Sequence, residues 1–318
     1  MTEIKTALPR CPRTGKPILE ISHSGLNTFG SCPRKWAFNK AIVNFSEDRE
    51  AKTAADVGTA IHEGLQEYVI SKDVDAALAK MALAHPIELN QGDNAAAYSL
   101  EAATITLLHA IESGELDNFV LATFIKDGKR IPAVEIGFMV EIEMDHIIIH
   151  LRGFIDLVVQ SRASDQFMAI DIKTTTERGA ESFDVKYKFD WQTTSYGIPL
   201  QGLLGIDGSF DTGILGIGLS DRDPLVVFKP FRRTKADVEE YFYYLLDKCA
   251  SIQRYWLAQR FPRDPKACLS FNKTCYFFNS CDVSTVTEMQ MLVNPSMKRG
   301  KSGREVVPVF TARLEYNG

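Results

Sequence analysis

The chain lacks any apolar run near the roughly 18 residues that a transmembrane helix requires. Its first ten residues, Met1–Arg10, lack the apolar core of a signal peptide. A cytoplasmic location with no membrane partner is therefore expected. No repeat is visible, and no linker is long enough to separate domains. The composition of a disordered chain is missing too: 45% of the 318 residues are hydrophobic and 24% charged, enough to build a sizeable core. Cysteine is scarce, six residues in all. In a reducing compartment these are not expected to form disulfides, so any clustering points to metal or redox chemistry. An excess of one charge sign is also absent. The 36 Lys and Arg face 41 Asp and Glu, a net charge of −5, which taken alone argues mildly against a nucleic-acid partner.

That total hides an asymmetry. Phe45–Val120 carries 14 acids and 4 bases, whereas Lys229–Arg304 carries 14 bases and 7 acids. The basic stretch is interleaved with Phe231, Tyr241, Tyr243, Tyr244, Tyr255, Trp256, Phe271 and Tyr276. Bases and rings together suit a single-stranded nucleic-acid groove. They equally suit an amphipathic helix with a solvated basic face.

Periodicity divides the chain. Ser22 or Ser24 can cap a helix through Leu26, Phe29 and Trp36, broken or restarted at Pro33. Helical spacing covers Ala54–Val69, Val74–Ala84 and Ala95–Ile111. Strand patterns cover Ala133–Glu143, Ile147–Val159 and Phe167–Thr174, with turns short enough for an antiparallel meander. Tyr187–Leu204 reads as one helix, Gly213–Leu219 and Leu225–Phe228 as strands, and Thr234–Gln259 as a long helix. The expected class is α/β (α+β): a sheet with flanking helices and a helical insertion, about 70–130, before the sheet.

Asp156 in GFIDLVV and Asp171 in AIDIKTT sit inside apolar strands. A buried carboxylate is costly unless a positive group offsets it. Two of them on strands joined by one short turn can lie side by side as oxygen ligands for Mg²⁺ or Mn²⁺. Lys173, two residues beyond Asp171, projects from the same strand face. Its ammonium can orient a water or offset charge on a phosphoryl centre. A purely structural Asp–Lys pair is the alternative. His62 shares a helix face with Gly58, where glycine permits close approach of another segment. Gln192 and Tyr196 are likewise one turn apart on a helix.

In order, Gly58-x-x-x-His62, Gly153-x-x-Asp156, Asp171-x-Lys173 and Gln192-x-x-x-Tyr196 resemble the motif series of RecB-like nucleases in the PD-(D/E)xK superfamily. The opening ISHSGLNTFGSCPRKWAF resembles that group's N-terminal signature. The resemblance spans about Ile21–Cys281. It implies a restriction-endonuclease-like core with a central mixed sheet. It further implies Asp156, Asp171, His62 and the Ile172 carbonyl as metal ligands, Asp156, Asp171 and Lys173 as catalytic residues, and Gln192 and Tyr196 beside substrate and lysine. Glu135 matches a glutamate often found before the Gly-x-x-Asp motif. The expected organisation is an irregular segment 1–20, one nuclease domain 21–285 and a tail 286–318.

Cys268, Cys275 and Cys281 form a compact group that needs a fourth partner, and Cys32 is the candidate. One cysteine before the core and three after it resembles the iron–sulfur-bearing members of the group, of AddB-like, CRISPR-associated exonuclease-like or phage type. A four-iron, four-sulfur cluster or Zn²⁺ is implied. Cys11 and Cys249 are expected bystanders. The expected function is a Mg²⁺- or Mn²⁺-dependent DNA exonuclease acting on DNA ends or single strands, in recombination, repair or CRISPR adaptation. A non-catalytic DNA-binding module on the same fold and a redox-sensing iron–sulfur protein are the rivals.

Overall fold

The structure is a computed structural model, and it describes residues 8–41, 53–86, 98–126, 128–175, 180–204, 208–270, 273–283, 285–291 and 310–315. In chain order the elements are β1 Ile18–Ser22, α1 His23–Ser31, α2 Pro33–Trp36, α3 Thr53–Ser71, α4 Val74–Ala84, α5 Leu100–Glu112, β2 Phe119–Leu121, β3 Thr123–Lys126, β4 Lys129–Pro132, β5 Val134–Glu143, β6 Ile148–Ser161 and β7 Phe167–Thr175. There follow α6 Ala180–Tyr187, α7 Trp191–Leu204, β8 Phe210–Gly218, β9 Val226–Arg233, α8 Lys235–Leu257, β10 Leu269–Ser270, β11 Lys273–Thr274, α9 Val286–Met291 and β12 Phe310–Glu315. This is the mixed α/β class expected. Ala95, the expected start of the third helix, and Phe271 lie outside the described residues.

Local chemistry explains the boundaries. Ser22 caps α1 by accepting from the Gly25 amide, and Pro33 stands in the first turn of α2, where its missing N–H costs nothing. Thr234 accepts from the Asp237 amide, while the Asp237 carboxylate accepts from the Thr234 amide, a reciprocal cap at the start of α8.

The chain forms two compact units, 1–49 with 138–153 and 239–318, and 50–137 with 154–238. In the first, β1 runs parallel to the opening half of β6, and β12 runs parallel to β5. In the second, the sheet is mixed. The end of β6 pairs antiparallel with β7, β7 pairs parallel with β8, and β8 pairs antiparallel with β9. The parallel β7–β8 pair requires a crossover, which α6 and α7 supply. One face of this sheet packs Leu157, Val159, Ile170, Ile172, Leu215 and Ile217 against Ile61 and Leu65 of α3 and against α4 and α5.

The expected single helix Tyr187–Leu204 is two helices, and Lys188–Asp190 breaks it. Asp190 caps α7, its carboxylate accepting from the Thr193 amide at 3.1 Å. An aspartate here competes for the backbone better than it continues a helix.

The aromatic residues of the basic stretch divide between core and surface. Tyr241 and Trp256 are buried along α8, while Tyr243 and Tyr276 are exposed. The long helix expected over Thr234–Gln259 forms as α8, with Tyr241, Leu245, Cys249, Ile252 and Trp256 buried along one side.

Candidate active site

His62, Glu135, Asp156, Asp171, Lys173, Gln192 and Tyr196 all lie in the second unit. The β6–β7 register, Leu157 opposite Ile170, sets Asp156 opposite Asp171 when carried one residue further. Asp156 Oδ2 accepts from the Ile172 amide at 2.8 Å. Asp171 is 1% exposed. Its Oδ2 pairs with the Lys173 ammonium at 2.7 Å and has no further donor among the described residues. Its Oδ1 accepts from the Tyr196 hydroxyl at 2.8 Å and from the Gln192 amide at 2.9 Å. The Gln192 oxygen in turn accepts from Lys173 at 3.1 Å. Gln192 and Tyr196 are thus mated to Asp171 and Lys173, and each other, through a further bond of 2.6 Å.

His62 enters from α3. Its Nδ1 lies 3.9 Å from Asp156 Oδ2, and the Asp171 and Lys173 charges both act on its ring. Gly58, one turn earlier, lies against Thr174 of β7 so closely that any Cβ would collide with the threonine hydroxyl. This is the close approach expected of that glycine, and it sets His62 over the strand that carries Asp171.

Glu135 is held at φ +50°, an uncommon conformation for a glutamate. Its Oε1 accepts from the Gln66 amide at 2.8 Å. Gln66 was not expected, although it stands four residues after His62 and therefore on the same helix face.

The charges do not balance. Burial, and next the Asp171 charge, push the Asp156 carboxyl well above the usual carboxylate range, and Glu135 adds to this. Burial alone would lower Lys173. The Asp171 carboxylate outweighs it, so the ammonium is held up and stays charged; at an effective dielectric of about 20, charges 4 Å apart attract by about 4 kcal/mol. Burial drives His62 down to about 4, so its ring is neutral at pH 7 and a free nitrogen donor. Tyr196 is pushed well up by burial and by Asp171, so it remains a hydroxyl donor.

One ammonium faces two converging carboxylates, a third nearby and a neutral imidazole. Among the described residues no three His, Cys, Asp or Glu stand ready-made at metal-ligand spacing. Mg²⁺ does not require that, because it is commonly held by one or two carboxylates and keeps several waters. The converging Asp156 and Asp171 carboxylates, which carry more negative charge than Lys173 balances, fit a divalent cation.

The cysteines lie in the first unit. Burial raises the Cys281 thiol, Arg34 opposes this, and Cys32 and Cys268 raise it further, although among the described residues no three cysteines stand at metal-ligand spacing. Cys32 Sγ accepts from the Asp264 amide at 3.4 Å and the Lys35 amide at 3.5 Å. Cys275 donates its amide to the Cys268 carbonyl at 2.8 Å. Arg34 is buried and donates to the carbonyls of Phe261 at 2.9 Å and Cys281 at 2.5 Å. A cavity of about 500 Å³ is lined by Arg263, Cys268, Phe278 and Cys281 among others. Cys249 is buried in α8, away from this chemistry.

A mixed α/β protein with an acid–acid–lysine centre on adjacent strands is the class that fold and site define. The family model of the PD-(D/E)XK nuclease superfamily matches residues 20–285. The chain belongs to that superfamily. Among solved structures, a "Putative exonuclease" from Eubacterium rectale is 13% identical, with a TM-score of 0.47 and 82% of this chain and 92% of that one covered. A structure described as SSO0001 is 14% identical, with a TM-score of 0.29 and 64% and 78% covered. No curated protein matches the sequence. Among the described residues no helix is long and apolar enough to cross a membrane.

Proposed function

We propose that this chain is a metal-dependent deoxyribonuclease, an exonuclease that hydrolyses phosphodiester bonds at DNA ends or in single strands. The convergence of Asp156, Asp171 and Lys173, with Gln192 bridging the last two, carries this reading. Asp156, Asp171, the Ile172 carbonyl and His62 would hold Mg²⁺ or Mn²⁺. When bound, the cation supplies positive charge for a phosphate and acidifies a water. Lys173 orients the attacking water and offsets charge at the phosphoryl centre. Gln192 holds the ammonium in place, and Tyr196 fixes the rotamer of Asp171. Glu135 deepens the negative potential that attracts the cation.

The test uses purified protein with Mn²⁺ and end-labelled linear DNA beside closed circular DNA. Linear DNA should be degraded from its ends and closed circles spared. Asp171→Ala and Lys173→Ala should each lower kcat by about 10²–10³-fold with circular dichroism unchanged. Activity that survives both substitutions overturns the assignment. Strand binding with no cleavage in either metal would favour the non-catalytic module.

The same reading gives Cys32, Cys268, Cys275 and Cys281 a structural four-iron, four-sulfur cluster, with Zn²⁺ as the other thiolate-selecting occupant. Its support is the action of Cys32 and Cys268 on the Cys281 thiol and the two amides aimed at Cys32, since such bonds are typical of ligated sulfur. Anaerobic protein should be brown, with broad absorbance near ~400 nm; a colourless zinc protein overturns the cluster.

A further inference from the structure

The break between α6 and α7 holds an aromatic ring out in water. Phe189, at its centre, is 75% exposed, and Val185, one turn earlier on α6, is 82% exposed. Phe183 and Tyr187 of the same helix are buried against Ile214. Burying a phenylalanine is worth about 1.5–3 kcal/mol, so an unrestrained ring would fold down onto the surface. This one is restrained through its backbone. Arg233, 3% exposed, donates to the carbonyls of Lys188 at 2.5 Å and Tyr187 at 3.1 Å, and to Thr193 Oγ1 at 2.7 Å. The Asp190 amide donates to the Tyr187 carbonyl at 3.1 Å, and the Thr194 amide to the Asp190 carbonyl at 3.2 Å. The turn is therefore nailed at both ends with Phe189 at its tip. The Lys188 ammonium lies 5.3 Å from the Phe189 ring, and the Lys186 ammonium 5.4 Å from the Tyr187 ring. The turn adjoins the catalytic centre, because the Asp190 charge acts on Lys173 and Gln192 follows two residues later.

We propose that Phe189 is a stacking platform for an unpaired nucleobase of the substrate strand, with Lys188 meeting the neighbouring phosphate. This rests on the nuclease reading and narrows its substrate to single-stranded DNA. A ring with a lysine beside it matches a base next to a phosphate, and every base offers a stacking face regardless of sequence. In a duplex the base faces are already stacked, so the platform discriminates between the two.

The experiment measures binding of a fluorescent single-stranded oligonucleotide to the full chain, with Ca²⁺ in place of Mg²⁺ or Mn²⁺ to prevent cleavage. Phe189→Ala should weaken binding about ten-fold, within the range for loss of one stacked base, and Phe189→Trp should retain it. An oligonucleotide with a central abasic stretch should bind wild type and Phe189→Ala alike. Phe189→Leu keeps apolar bulk without a ring and should bind as weakly as alanine. Equal affinity of wild type and Phe189→Ala for the base-bearing strand overturns the proposal and assigns the ring to a protein contact. Full recovery in Phe189→Leu overturns stacking as the cause. Cleavage of the same oligonucleotide by wild type in Mn²⁺ is scored separately: its absence overturns the nuclease reading and leaves the binding comparison standing.

Discussion

Asp156 and Asp171 concentrate more negative charge in a buried site than Lys173 can balance, and the excess is carried as a raised affinity of Asp156 for a proton. A cation must displace that proton. Mg²⁺ affinity should therefore rise with pH, with measurable proton release on titration in weakly buffered solution; pH-independent affinity would place the metal elsewhere. His62 gives the opposite kind of handle. Below its ordinary value of 6.5 the unfolded chain protonates this ring, while the folded protein keeps it neutral down to about 4. The unfolded state binds more protons in that window, so the His62 contribution costs stability as pH falls from 6.5 towards 4. Metal-free wild type should lose denaturant stability relative to His62→Gln across that range, and parallel curves would reject the burial account. At this scale the sequence was highly legible. A charged residue inside an apolar strand is conspicuous, which exposes Asp156, Asp171 and Lys173. Gln66, Thr174 and Asp190 were not legible, because polar residues at helix faces, strand ends and turns are ordinary until their partners are seen.

The elements bring these side chains together by close approach. Gly197 of α7 lies against the Phe210 ring of β8, where a Cβ would overlap the ring outright. Gly197→Ala should push α7 off the sheet, costing about 1–3 kcal/mol of stability and lowering kcat by displacing Gln192 from Lys173; an unchanged melting temperature would refute that packing. Arg233 works at the same scale through its three hydrogen bonds to the α6–α7 break. Bonds to a charged group are worth about 1.5–3 kcal/mol, so Arg233→Met should cost roughly 2–3 kcal/mol in urea melts. The lengths of most helices and strands followed from hydrophobic period. The break at Lys188–Asp190 did not, because its cause is an arginine more than forty residues later, which no local period records.

For the whole molecule, a bound cation is folding free energy. At a hundred times its Kd, Mg²⁺ should stabilise the native state by about 2.7 kcal/mol, read as a rise in melting temperature that Asp171→Ala abolishes. The thiols divide in a checkable way. Burial pushes Cys249 up to about 12, so it should resist iodoacetamide in native protein, while Cys268, Cys275 and Cys281, half-buried, react once any metal is stripped. Labelling of Cys249 at the same rate would contradict its burial.

The sequence by itself determined the class of fold, the order of elements and the acid–acid–lysine set, because period and buried charge are local and leave a mark wherever they occur. Only the tertiary structure decided that Asp171 carries Tyr196 and Gln192, that Glu135 is held by Gln66, and that Arg233 pins Phe189 outwards. Those depend on which residues meet across gaps of tens of positions, and a chain's order records such meetings only after it has folded.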